Sequence, residues 1–127
     1  MGDSLDDLVV DHSAIARGDL ARALQPFVRF TGEGQLWLEA GFDDLPADQR
    51  VLCVLLAVQG LHILGYRDTD QVTPAEVVEL SGMASGTVRP KLSALLKQRR
   101  IAKNGARYSL PIHSARRAVD LLVSAHG

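Results

Sequence analysis

The sequence predicts a mainly α protein with small β-hairpins, an α+β fold, and three observations carry that prediction. Apolar residues recur at helical spacing over several long stretches of the 127 residues. Two pairs of short apolar-rich segments flank glycine-bearing loops, the signature of a β-hairpin. Thr73-Pro74-Ala75-Glu76 holds both halves of a helix capping box. A chain of this length is one domain with room for a small extension. It should bury roughly two-thirds of its unfolded surface, enough to fold without crosslinks.

In chain order, Leu5, Leu8, Val9, His12, Ile15, Leu20 and Leu24 are spaced as in an amphipathic helix. Gly18 is its weak point, so either one helix with a break or two short helices is expected. Pro26 ends it, because its ring cannot continue a helical ladder. Phe27 to Thr31 and Gln35 to Glu39, around Gly32-Glu33-Gly34, form the first expected hairpin. Asp43 to Asp48 reads as a turn and a helix start, with Pro46 suited to the first helical position. The helix from about Ala47 to Leu64 is apolar around most of its circumference, which predicts a central core helix or one shared with a subunit interface. Cys53 within it reads as a buried structural thiol, and His62 as a satisfied core residue.

Tyr66 to Val72 is polar and turn-like. Thr73 caps a short helix reaching Leu80, with Pro74 at its first position and Glu76 reaching back. Ser81 to Ala84 is a tight turn, and Ser85 or Thr87 is expected to cap a helix running to about Arg99. Val88, Leu92, Leu95 and Leu96 face inward on it, and Pro90 predicts a tightened or kinked start. Asn104-Gly105 between Ile101–Lys103 and Ala106–Leu110 suits a two-residue type I′ hairpin turn, which needs positive φ. After Pro111 a last amphipathic helix buries Ile112, Ala115, Val119 and Leu122 and exposes Arg116 and Arg117. Residues 1–44 thus read as an N-terminal helix and hairpin extension that could serve dimerisation, and residues 45–127 as the main domain with its C-terminal helix.

The net charge of −1 conceals a strong asymmetry. Residues 1–80 hold 5 basic and 14 acidic side chains, residues 81–127 hold 9 basic and 1 acidic, and no acid occurs between Ser81 and Val119. Such segregation suggests a polyanion-facing surface on one half, or a basic face that docks on an acidic protein.

The order helix, short helix, glycine turn, helix, Asn-Gly hairpin resembles the winged helix-turn-helix superfamily. The residues that carry the resemblance are Thr73 to Leu80, the turn Ser81-Gly82-Met83-Ala84, the helix Ser85 to Lys97 and the returning strand Tyr108-Ser109-Leu110, within a span of about Leu45 to Leu110. The resemblance implies that the second helix of the pair enters the major groove of duplex DNA while the wing lies on an adjacent groove or backbone. Many members regulate transcription and others bind only proteins, so both readings stay open.

The residues support the first reading on their own terms. At about 100° per residue, Thr87, Pro90, Ala94 and Lys97 lie opposite the apolar face, with Arg89 and Lys91 on its flanks. The helix start presents Ser85, Gly86 and Thr87, whose hydroxyls and free backbone amides suit phosphate oxygens, and Arg89 and Lys91 can reach base edges. Lys103, Asn104 and Arg107 sit on or beside the hairpin tip, where they can meet backbone or minor groove. The expected DNA-binding set is therefore Ser85, Thr87, Arg89, Lys91, Lys97, Lys103, Asn104 and Arg107. The plain alternative for each is a solvated helix or hairpin charge.

Enzymatic chemistry finds no support. The four histidines are scattered, one cysteine adds nothing toward zinc, and Gly32-Glu33-Gly34 lacks the following Lys-Ser/Thr of a phosphate loop. No catalytic residue, metal or cofactor is expected. The most apolar run, Val51 to Gly65, is shorter than the ~20 residues a membrane span needs. The N-terminus has acids where a secretory signal carries basic residues. These features predict a cytoplasmic DNA-binding homodimer, with an acidic protein partner as the alternative to DNA.

Overall fold

A computed structural model describes residues 16–126. The elements follow the order α1 (Arg17–Leu24), β1 (Val28–Phe30), β2 (Leu36–Leu38), α2 (Ala47–Ile63), α3 (Pro74–Ser81), α4 (Ser85–Lys97), β3 (Ala102–Asn104), β4 (Arg107–Ser109) and α5 (Ile112–His126). Among the described residues, five α-helices and two small antiparallel hairpins make an α+β fold. The part of the expected first helix before Ala16, including Leu5, Leu8, Val9, His12 and Ile15, lies outside the described residues.

The core is organised around α2. Every residue from Val51 to Val58 is buried, as are Gly60 and Leu61, because α1, α3, α4 and α5 all pack on this one helix. Its burial is thus supplied from within the chain. Cys53 sits in it fully enclosed, and burial pushes its thiol up to about 12. From α1 come Leu20, Ala23 and Leu24, and from α5 Ala115, Ala118, Val119 and Leu122. The N-terminal extension therefore shares one continuous core with the rest of the chain, running from Leu20 to Leu122. Edge-on packing of His126 against Phe27, with ring centroids 6.2 Å apart, ties the end of α5 to the start of the first hairpin.

Local chemistry explains most boundaries. The α1 helix ends two residues before Pro26, as a ring without an N–H demands. The capping box of α3 is complete. Glu76 N–H donates to Thr73 Oγ1 at 3.2 Å, and Thr73 N–H donates to Glu76 Oε1 at 3.0 Å. Arg67 adds an ion pair to Glu76 at 3.1 Å. Partial burial pushes the Glu76 carboxyl up, but the Thr73 hydrogen bonds and Arg67 outweigh it, so its pKa lies below its ordinary 4.5. Gly82, at φ 71°, closes α3, and Ser81 Oγ accepts from Met83 N–H.

Five expectations need correction. Helix α4 starts at Ser85 with Ala84 as its N-cap, so neither Ser85 nor Thr87 caps it. The Gly82 turn and the burial of Met83 bring the chain into the helix one residue earlier. Pro46 likewise sits at the N-cap of α2, not inside its first turn. The second hairpin turns at Gly105-Ala106, because Asn104 pairs with Arg107. Gly105 has φ 62° and Ala106 does not share it, so the combination is that of a II′ turn, which wants glycine first. That register, continued by one residue, sets buried Ile101 opposite buried Leu110 at the hairpin base. His62 is exposed, with its Nδ1 2.9 Å from the Arg67 carbonyl oxygen. The segment before α3 is not wholly turn-like either, for Val72 forms an antiparallel bridge with Tyr108 through bonds of 2.9 and 2.7 Å.

The exit from α4 stores strain. Arg99 follows its C-cap at φ 59°, a left-handed conformation, while Arg100 N–H closes the turn onto the Leu95 carbonyl. A non-glycine residue held there costs of order 1 kcal/mol or more. Arg99→Gly is therefore expected to raise the unfolding free energy by about 1 kcal/mol in urea melts, with no change in slope. The lowered Glu76 pKa sets a second expectation. Its contribution is present above the ordinary carboxylate value and is lost as pH falls through the depressed folded value. Glu76→Gln should be less stable than the parent at neutral pH, and the gap should close in acid. Cys53 should resist alkylation at pH 8 in the folded protein and react once the chain is unfolded in urea.

Candidate nucleic-acid interface

The exposed side of α4 is a row of small and basic residues. Ser85, Arg89, Ser93 and Lys97 follow one another at intervals of four, so they line up along the helix, and all four are exposed. Gly86, Thr87 and Pro90 lie beside them and are also exposed. The helix runs unbroken through Pro90. Val88, Leu92 and Leu95 are buried against α2 and α3, which fixes the rotation of the helix and hence the outward direction of the row. Lys91 is only half-exposed, on the flank, and Ala94 is similar.

The entry to α4 differs from that of α3. Ala84 supplies no side-chain cap, and among the described residues the Ser85 and Gly86 N–H groups have no acceptor. Ser85 Oγ instead accepts from Arg89 Nε at 3.1 Å, which holds the guanidinium over the first turn. Two unsatisfied amides, the positive end of the helix dipole and an arginine thus converge on one place, an arrangement suited to an oxyanion.

The second hairpin presents Lys103, Asn104, Gly105, Ala106 and Arg107, all exposed. Asn104 and Arg107 are direct cross-strand partners beside the turn, so the two side chains share a face. Lys103 is opposite Tyr108, with its Nζ 5.6 Å from the ring centroid, a cation–π contact that draws the ammonium toward the hairpin base. Tyr108 in turn bridges Val72, which joins the hairpin to the residue just before the α3 cap. Hairpin, α3 and α4 are therefore mechanically linked at their bases.

The ion pairs of the described residues are Arg22–Asp19, Arg29–Glu39 and Arg67–Glu76. All three lie in the first 80 residues. None of the nine basic residues from Arg89 to Arg117 has an ion-pair partner among the described residues. Each of the eight residues expected from sequence is at the surface, with Lys91 the least exposed. Sequence reasoning missed Ser93, which belongs to the same four-residue row, and it took the Thr87 amide as free, whereas Thr87 N–H donates to the Ala84 carbonyl at 3.0 Å. The i, i+4 spacing from Arg89 would have found Ser93.

Among the described residues no three His, Cys, Asp or Glu side chains are grouped to hold a metal ion, and no helix is long and apolar enough to cross a membrane. No family model, curated protein or solved structure matches the chain.

Proposed function

We propose that this chain is a winged helix-turn-helix DNA-binding protein and a transcriptional regulator, in which α4 lies in the major groove of duplex DNA. The hairpin β3–β4 would be the wing on an adjacent groove or backbone. The observation that carries the reading is the coincidence of an uncapped α4 entry, with Arg89 held over it by Ser85, and an outward row of hydroxyls and cations, none of the cations having an ion-pair partner among the described residues. The order α2, Val72 bridge, α3, glycine turn, α4 and hairpin supports it, since a strand residue before the helix pair braces the wing.

In this reading the parts divide the work by position. Ser85 and Gly86 amides, Thr87 and Lys97 hold phosphates and fix register, carrying no sequence information. Arg89 and Lys91 reach base edges, with guanine the preferred partner of Arg89, and Ser93 serves either role. Asn104 and Arg107 contact the backbone or the minor groove beside the wing. A single such module buries little surface, so we also propose a homodimer reading two half-sites. Because α2 is covered from within the chain, the dimer would use exposed apolar residues elsewhere, of which Trp37 on β2 is the most exposed at 63%.

The alternative is a protein-interaction module whose basic face docks on an acidic partner. It draws on the same unpaired charges but gives no role to the open amides of α4. Selection of bound duplexes from a random library tests the choice. The DNA reading predicts an enriched motif, and Arg89→Ala with Lys91→Ala should weaken binding to it at least about tenfold. Arg116→Ala, on α5, should leave affinity near the parent value. Equal losses in the two variants would move the contact surface off α4, and no enrichment would favour the protein partner.

A further inference from the structure

An apolar groove of about 390 Å³ lies along one side of α1, far from the basic row in chain position and built from different elements. Its walls are Leu20, Ala21 and Leu24 of α1, Val28 and Phe30 of β1, and Ile63 and Leu64 at the end of α2. Gly60 makes room in the floor, where an added Cβ would come within 3.2 Å of the Phe30 ring. The volume falls within the range of small-molecule sites, about 300–1,000 Å³, and the lining is of the kind such sites use.

The two charged residues of the lining stand at opposite ends of α1. Arg29 is occupied. Its guanidinium donates to the carbonyls of Gln25 and Val28 and lies 3.9 Å from Glu39, so its charge is already partly answered. Arg17 is exposed and has no ion-pair partner among the described residues. It stands in the first turn of α1, where Ala16 gives no side-chain cap. A cation at the positive end of a helix dipole is unfavourable, and an anion placed there relieves both charges at once. Asp19 in the same turn is paired with Arg22 at 3.9 Å.

We propose that this groove binds an amphipathic monocarboxylate, with the carboxylate on Arg17 and the entry of α1 and the apolar tail running along Leu20, Leu24, Val28 and Ile63. The tail removes from water the apolar surface that the groove leaves open. The head answers the charge of Arg17, which has no ion-pair partner among the described residues. The proposal stands independently of DNA contact, since no residue of the groove belongs to α4 or the second hairpin.

Titration of the full chain with decanoate, below its micellar concentration and followed by calorimetry, tests it. Saturable binding with a stoichiometry of one per chain is expected. Arg17→Gln should weaken it about tenfold, the loss of one charge-assisted contact. Decanol, with the same tail and no charge, should bind more weakly than decanoate by a similar factor. Ala21→Trp, at an exposed position on the groove's lip, should abolish binding while circular dichroism and thermal melting remain those of the parent. Absence of saturable binding overturns the proposal, as does binding that Ala21→Trp leaves unchanged. Binding seen only after Leu5→Ser with Leu8→Ser would also overturn it, by assigning the groove to the chain's own N-terminal segment.

Discussion

Enclosure of α2 is the constraint on which the rest of the structure depends. A helix buried from Val51 to Val58 has no face left for water, so it must be surrounded, and the chain supplies α1, α3, α4 and α5 to do so. Burying each of those valines and leucines contributes about 1.5–3 kcal/mol, which makes this helix the largest apolar term in the fold. Its neighbours then have little freedom. Val88, Leu92 and Leu95 must point at α2, and so Arg89, Ser93 and Lys97 must point away. The outward basic row is in this sense a consequence of the core.

A second constraint acts on the hairpin. Tyr108 exchanges two backbone bonds with Val72 and is itself buried, so β4 cannot slide without breaking that bridge. Val72 immediately precedes the Thr73 cap, whose own geometry is held by Glu76 and Arg67. The chain of contacts runs from the hairpin through Val72 to α3 and, across the Gly82 turn, to α4. In the proposed function this matters because groove contact needs the helix and the wing held in fixed relation.

Much of this was legible in the residues. The Thr73–Glu76 box, the Gly82 turn, the apolar period of α4 and both hairpins follow from local rules, which act within a few residues. What escaped was set by long-range packing. Asn104-Gly105 is a good I′ turn in isolation, but the pairing of Ala102 with Ser109, between buried Ile101 and Leu110, puts the turn at Gly105-Ala106. The Val72 bridge has no local signal, because its partner is far along the chain. Ser85 is a favourable cap residue by propensity, yet Ala84, next to the buried Met83, takes the N-cap position and leaves Ser85 Oγ to Arg89. The groove beside α1 was invisible for the same reason, since α1, β1 and α2 meet only in the folded chain. The basic row and the open amides at its head were foreseeable, whereas the hold of Ser85 Oγ on Arg89 was not.

In the proposed function the charges of α4 and the second hairpin, which have no ion-pair partner among the described residues, face the phosphates of duplex DNA. The salt dependence of binding tests it most directly, because phosphate contacts release counterions in proportion to their number. Four or five contacts per protomer predict that the logarithm of the association constant falls with the logarithm of salt concentration at a slope of about −4 for each half-site bound. A slope near zero, or no measurable binding to several duplexes at about 50 mM salt, would contradict it.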